Sequence, residues 1–303
     1  MKKKTLKTGT SDFRTIISDN GYFVDKTMLI KDFWENSNYI LLMTRPRRFG
    51  KSLNLSMIEH FFDIQKPESR NLFTEFEISK HHEFCEEHQN KYPVINISLK
   101  DIKAQNRNEC YDKFKTEIFD LYNKHRYLLD SDKITELEKE NFRFILEGNA
   151  LKVKFEYSLK YLSEYLKKHF ANDVIILVDE YDTPIINAFK NTRSPIKTGR
   201  GQKTYYESSI DFMQIFLGKA FKGNDKSGNG VVIEIKQTEK KQLNEDEKQF
   251  RIRINRELKN ALHQIESHKY YQELTANKVP EKNIIKVPIV FAGKEPFVTE
   301  IKK

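Results

Sequence analysis

Cysteine, tryptophan and long apolar runs are scarce in this 303-residue chain. Its two cysteines, Cys85 and Cys110, are too few for a disulfide framework or a four-ligand zinc site. The longest apolar runs, 39–43 and 174–178, are far shorter than the roughly 20 residues of a membrane-spanning helix. The basic start of the chain is not followed by the apolar segment of a secretory signal. We therefore expect a cytoplasmic protein with no membrane partner.

The charge balance is basic, with 53 lysines and arginines against 44 acidic residues and a formal net charge of +9. This excess suits an anionic partner such as a nucleotide or a nucleic acid, although it informs association rather than fold. The 22 phenylalanines and 14 tyrosines supply apolar surface that a disordered chain lacks. The composition predicts a folded protein, and the length suits about two domains.

Strand-like and helix-like patterns alternate along the first two thirds of the chain. The continuous β-branched run at 173–179 is typical of a strand buried on both faces of a parallel sheet. Strands separated by helices predict an α/β doubly wound fold. The predicted strands are 39–43, 93–99 and 173–179, and helical stripes follow Gly50 and recur at 110–121 and 155–170.

The composition changes in the last third of the chain. The stretch 190–230 is rich in glycine and basic residues and contains one predicted helix, 205–221. A second, smaller α/β block follows, and we place the boundary near Asn224. Its predicted elements are strands at 231–236, 250–254 and 284–291 and a helix at 257–275.

A Gly-Lys-Ser sequence lies between the strand at 39–43 and a helical stripe, which is the context that a phosphate-binding loop requires. A glycine lets the backbone approach phosphates, a lysine bridges them, and a serine hydroxyl binds Mg²⁺. Arg45 replaces the first glycine of the usual motif, so an ordinary basic turn is the alternative. The residues that we expect to contact a nucleotide are Arg45, Arg48, Gly50, Lys51, Ser52 and Leu53.

A second motif lies at the end of the strand at 173–179, where the apolar run 174–178 is followed by two adjacent carboxylates. In this Walker B arrangement Asp179 would bind Mg²⁺ together with Ser52, and Glu180 would polarise the attacking water. A strand that ends in solvated acids is the alternative. Because both motifs follow predicted parallel strands, we expect them at the same sheet edge, where α/β proteins bind ligands. The combination favours ATP with Mg²⁺.

Three segments resemble the predicted AAA-like ATPases of bacteria and archaea: Tyr22-Phe-Val-Asp-Lys-Thr27, Arg45-Pro-Arg-Arg-Phe-Gly-Lys-Ser-Leu53 and Val178-Asp-Glu-Tyr-Asp-Thr-Pro184. The resemblance covers residues 11–224. It implies a P-loop NTPase-type parallel sheet with flanking helices, in a family that tolerates arginine at the first Walker A position. Asp25 and Lys26 belong to the family segment that precedes the loop. A structural role in a turn and a helix cap is an equally good interpretation of these two residues.

The strand that should follow Walker B is missing from the pattern, because no β-patterned apolar run lies between Asp179 and Val231. ATPases of this kind use that strand, and a helical lid beyond it, to complete the site around the γ-phosphate. We therefore expect binding without efficient hydrolysis, that is, a weak or impaired ATPase.

The C-terminal block, 225–303, resembles the PD-(D/E)XK nuclease-like domain that is often fused to such ATPases. The resemblance rests on Glu234 and Lys236 of an E-x-K strand and on Gln264 of the following helix. The alternative interpretation of the E-x-K tripeptide is an ordinary half-exposed strand without a catalytic role. The aspartate expected on a preceding strand is absent, and one carboxylate holds a divalent metal poorly. The resemblance therefore implies a truncated, restriction-endonuclease-like remnant rather than an active nuclease.

Three hypotheses remain from the sequence. The chain is an ATP-binding protein linked to DNA processing, or a metal-dependent DNA nuclease with an accessory ATPase, or a non-catalytic remnant that binds nucleotide or DNA. The basic stretch 190–230 motivates the DNA partner. The missing strands favour the first and third hypotheses over the second.

Overall fold

The structure, a computed structural model, describes residues 5, 9–35, 50–148, 150–192, 204–222, 230–238, 245–267, 284–292 and 295–298. At residues 221, 222, 230–238, 264, 265, 267, 284–292 and 295–298 the backbone alone is described. The chain forms two compact units, and the first of them ends at Asn224.

Helices dominate the first unit. They alternate with only two strands in the described part of this unit, so the protein is a mixed α/β structure. The helices are α1 (Phe13–Ser18), α2 (Met28–Glu35), α3 (Lys51–Phe62), α4 (His82–His88), α5 (Arg107–Lys124), α6 (Glu136–Leu146), α7 (Lys152–Glu156), α8 (Ser158–Phe170), α9 (Thr183–Asn191) and α10 (Tyr205–Lys222), with 3-10 helices at Pro67–Phe73, Glu77–Lys80 and Arg126–Asp130; the strands are β1 (Val94–Ser98) and β2 (Ile175–Asp179).

The two strands form a small parallel sheet. Val94 lies opposite Ile175 at one end, and Ser98 lies opposite Asp179 at the other. The predicted strand at 39–43 lies outside the described residues, so the structure shows a two-stranded parallel sheet, and the P-loop NTPase-type sheet stays a prediction. Helix α3 packs on both strands. Its side chains Met57, Ile58 and Phe61 are fully buried.

Most of the helices predicted in this unit are confirmed. The stripe at 110–121 lies on α5, where Cys110, Phe114, Ile118 and Leu121 are all buried. The predicted helix 205–221 is α10. The stripe at 155–170 is divided, because α7 ends at Glu156 and α8 begins at Ser158. No helix in the described ranges is long and apolar enough to cross a membrane.

The second unit contains β3 (Gly230–Thr238), α11 (Glu247–Ser267), β4 (Ile284–Ala292) and β5 (Glu295–Val298). The strands lie in the order β3-β4-β5, with β3 and β4 parallel and β5 antiparallel to β4. Helix α11 packs on β3 and β4. The predicted strands at 231–236 and 284–291 are confirmed as β3 and β4.

The predicted strand at 250–254 is wrong, because this segment belongs to α11. Phe250, Ile254 and Leu258 are buried together, at the four-residue spacing of a helix face. Ile252 is 60% exposed, so the apolar-basic alternation of this segment does not mark a sheet face. The helix also begins ten residues earlier than predicted, where the Asp246 carboxylate accepts the Gln249 N–H at 2.7 Å.

Candidate functional site

Gly50 is the first residue of the candidate site, and its backbone conformation lets the chain turn into α3. It is the N-cap residue of this helix and has left-handed backbone angles, φ 74° and ψ 25°. A Cβ at this position would meet no described atom within 4 Å, so the backbone angle rather than crowding favours glycine. Lys51 and Ser52 occupy the first helical turn, whose N–H groups have no acceptor within the helix. This end of α3 is suited to an anion.

Asp179 and Glu180 lie where β2 ends. Asp179 is the last residue of the strand, opposite Ser98, and its carbonyl accepts the Leu99 N–H at 2.9 Å. The sheet therefore holds its backbone on the side of β1. Asp179 and Glu180 are both half-buried.

The two motifs meet through one hydrogen bond. The Ser52 hydroxyl donates to Asp179 Oδ2 at 2.6 Å, across 127 residues of sequence. The other carboxylate oxygen, Oδ1, accepts the Glu180 N–H at 3.0 Å. Both oxygens of Asp179 are thus oriented, one towards α3 and one towards the following turn. The packing of α3 on β2 brings these residues together.

Glu180 begins a tight turn into α9. Its carbonyl accepts the Thr183 N–H at 2.9 Å, and its Oε2 accepts the Thr183 hydroxyl at 3.1 Å. Pro184, near the start of α9, suits the first helical turn because its missing N–H would have no helical partner. The sequence patterns did not single out Thr183. The signal for it was its position three residues after Glu180, beside a proline that starts a helix.

The other predicted nucleotide ligands are only partly described. Leu53 follows Ser52 on α3 and is half-buried. Arg45 and Arg48 lie outside the described residues. The nucleotide and metal roles assigned to all of these residues stay predictions.

Asp25 has a structural role. Its Oδ1 accepts the N–H and the hydroxyl of Thr27 at 2.8 and 2.7 Å, and its Oδ2 accepts the Glu77 N–H at 2.8 Å. The Thr27 hydroxyl also accepts the Ile78 N–H at 3.2 Å. Burial opposes ionisation of Asp25, but the hydrogen bonds from Glu77 and Thr27 outweigh it and lower its pKa. This network favours the turn-and-cap interpretation of Asp25. Lys26 beside it is exposed.

The residues predicted as a nuclease remnant lie in the second unit. Glu234 and Lys236 are two residues apart on β3, opposite Pro288 and Val290 of β4. Gln264 is on α11. Only their backbone is described, so their catalytic roles stay predictions. In the described part of the chain, no three metal-binding side chains of the His, Cys, Asp or Glu type cluster.

The first unit thus defines a mixed α/β class of protein, mostly helical, in which a helix N-terminus meets the acidic end of a parallel strand. Residues 7–222 match the family described as Predicted AAA-ATPase. This match covers more than half of the chain, which therefore belongs to that family. Among curated proteins and solved structures, none matches the chain. The family match ends at residue 222, so it gives no support to a nuclease domain in 225–303.

Proposed function

We propose that the chain binds Mg·ATP between the N-terminus of α3 and the end of β2 and hydrolyses it slowly. Membership of the predicted AAA-ATPase family is consistent with ATP binding. The observation that supports this site best is the 2.6 Å contact between the Ser52 hydroxyl and Asp179. A serine of one motif and an aspartate of the other meet as a shared metal ligand pair would require.

Phosphate binding would use the backbone and one cation. Gly50 keeps the start of α3 free of a side chain, and the N–H groups of the first turn favour negative charge. Lys51 follows at the first helical position, where its ammonium would bridge the outer phosphates.

The donors present fit Mg²⁺. Ser52 and Asp179 offer a hydroxyl and a carboxylate oxygen within hydrogen-bonding distance of each other, and Mg²⁺ prefers such oxygen ligands together with water and substrate phosphates. A bound Mg²⁺ would neutralise charge on the phosphates. The role of the protein is to hold the two oxygens on the same side of the sheet edge.

Hydrolysis would depend on Glu180, whose carboxylate would accept hydrogen bonding from the attacking water. We expect turnover to be slow. In the described ranges 180–192 and 204–222 the chain after Asp179 turns and then forms α9 and α10, without a strand that could add a polar group beside β2. Charge stabilisation at the γ-phosphate would then be incomplete.

Binding of Mg·ATP to wild type and to Lys51→Ala tests the proposal. We expect the variant to bind at least about tenfold more weakly, a loss of about 1.4 kcal/mol. Lys160→Ala is the matched control, because Lys160 lies on α8 and forms a surface ion pair with Glu164 at 3.4 Å. Equal affinity of wild type and Lys51→Ala for radiolabelled ATP would falsify the proposed site.

Turnover is tested separately with Glu180→Gln. This variant keeps the shape of the side chain but removes the base, so we expect Mg·ATP to bind as in wild type while hydrolysis falls by about 100-fold or more. Phosphate release under single-turnover conditions measures the chemical step. Hydrolysis at the wild-type rate would remove Glu180 from the mechanism and leave the binding site intact.

Contact with DNA and metal-dependent cleavage stay predictions from the sequence. The basic stretch 190–230 is described only at 190–192, at 204–222 and at residue 230, and the side chains of Glu234 and Lys236 are not described. Neither activity enters the proposal for the first unit.

A further inference from the structure

Glu180 has an unusual backbone conformation. Its φ is 52°, in the left-handed region, which is unfavourable for a residue with a side chain. Among the described residues, the others with positive φ that are not glycine are Asn20, Asn90 and Ala171. Asparagine tolerates this region, and Ala171 ends α8. Glu180 is the one charged member of this group, and it lies beside the metal ligand pair proposed above.

Local contacts hold Glu180 in this conformation. Its N–H donates to Asp179 Oδ1 at 3.0 Å, and its carbonyl accepts the Thr183 N–H at 2.9 Å. Its carboxylate accepts the Thr183 hydroxyl at 3.1 Å. Thus Thr183 holds both the backbone and the side chain of the strained residue.

The Thr183 hydroxyl is held in a defined position. Thr183 is only 7% exposed, so water competes little for its hydrogen bond, and its β-branched side chain has few rotamers. It is the first residue of the nine-residue helix α9, which is anchored by buried Ile185 and Ala188. The Glu180 carboxylate is therefore fixed relative to a packed helix and close to the positive end of its dipole.

We infer that Thr183 is a positioning residue that holds the Glu180 carboxylate in the orientation needed to polarise the attacking water. The inference rests on the proposed function, because it assumes that Glu180 is the base. Thr183 acts through Glu180, which it contacts with both its hydroxyl and its backbone N–H. A base that must be held in place loses rate when its support is removed, because small displacements of a catalytic group are costly.

Three single variants test this inference in the full chain. Thr183→Val removes the hydroxyl and keeps the shape, so we expect kcat for ATP hydrolysis to fall about tenfold while KM and the Kd for Mg·ATP stay within twofold. Thr183→Ser restores the hydroxyl and should restore kcat. Thr192→Val is the matched control, because the Thr192 hydroxyl donates to the Ala188 carbonyl at 2.8 Å at the other end of α9. Thermal unfolding of each variant shows whether α9 is intact.

A double variant separates positioning from a general structural effect. In the Glu180→Gln background, Thr183→Val should cause no further loss of the residual rate, because both changes act on one group. An additional tenfold loss in that background, or an unchanged kcat in Thr183→Val alone, would overturn the inference and leave the proposed function standing. Wild type that binds Mg·ATP without hydrolysing it would overturn the inference and the hydrolytic half of the proposal. Equal binding by wild type and Lys51→Ala would overturn both.

Discussion

Burial and hydrogen bonds shift the pKa values of individual side chains in the first unit. Burial opposes ionisation of Asp12, but hydrogen bonds from Thr15 and His60 outweigh it and lower its pKa to about 2. Asp12 caps α1 through the Thr15 N–H at 2.7 Å, and its other oxygen is 3.3 Å from His60 Nε2. Because His60 lies on α3, this carboxylate joins α1 to the helix that begins the candidate site.

His125 provides a test of pH dependence. It follows α5 and is buried, which lowers its pKa from 6.5 to about 4, with Lys124 adding to the shift. The unfolded chain therefore takes up a proton at this residue between pH 6.5 and pH 4, whereas the folded chain does not. The contribution of His125 to the free energy of unfolding is therefore fully present above pH 6.5 and is lost progressively as the pH falls towards 4. At pH 5 the loss amounts to about 2 kcal/mol relative to neutral pH.

The measurement compares wild type with His125→Asn by urea denaturation at pH 7.5 and pH 5. We expect the stability of wild type to fall relative to that of the variant on acidification. Asp63, whose pKa burial raises to about 6, titrates in the opposite sense but is common to both proteins. His82→Asn, at an exposed position, is the control and should behave as wild type. Parallel pH profiles for wild type and His125→Asn would contradict the assignment.

At the scale of elements, α11 shows how local alternation misleads. Arg251 and Arg253 separate Phe250, Ile252 and Ile254, so the segment has the period of a strand over five residues. Over a longer window the buried residues Phe250, Ile254, Leu258 and Ala261 follow a helical spacing. Arg253 also forms a two-point ion pair with Glu245, at 2.8 and 2.7 Å, eight residues earlier. Burial of one face and the ion pair between Arg253 and Glu245 therefore stabilise the helix.

A pair of isoleucine variants distinguishes the helix from a strand. In a strand Ile252 and Ile254 would share a face, whereas in α11 Ile252 is 60% exposed and Ile254 is 3% exposed. We expect Ile254→Asp to destabilise the second unit by several kcal/mol, because it buries an unpaired charge, and Ile252→Asp to have little effect. Hydrogen exchange of the amides at 245–267 in each variant measures the loss of stability. Equal loss of protection in both variants would favour the strand.

At the scale of the whole molecule, the chain has two compact units and a single tryptophan. Trp34 lies on α2 in the first unit, with its ring 5.3 Å from that of Phe62 and 4.7 Å from that of Tyr92. Its fluorescence therefore follows the unfolding of the unit that contains Gly50, Ser52 and Asp179. Far-UV circular dichroism reports on both units.

A ligand that binds only the folded first unit should stabilise it alone. We expect Mg·ATP at about 100 times its Kd to add about 2.7 kcal/mol to the transition seen by Trp34 fluorescence. Lys51→Ala should lose at least about half of this increase at the same nucleotide concentration, because its affinity is at least about tenfold lower, whereas Ile254→Asp should retain the increase. An increase in wild type that disappears in Ile254→Asp would show that the second unit takes part in binding.

The amino-acid sequence by itself determined the local elements and the chemistry available to them. Strands β1 to β4, helices α5 and α10, the Gly-Lys-Ser turn and the Asp-Glu pair all follow from short-range periodicity and residue type, because these depend on neighbours within a few positions. Only the tertiary structure decided that Ser52 contacts Asp179, that Asp25 and Thr27 join the segment before α2 to a distant 3-10 helix, and that 250–254 is helical. The first two depend on packing between segments far apart in the chain, and the third depends on burial of one face of α11, which packs on β3 and β4 and which the five-residue alternation does not record.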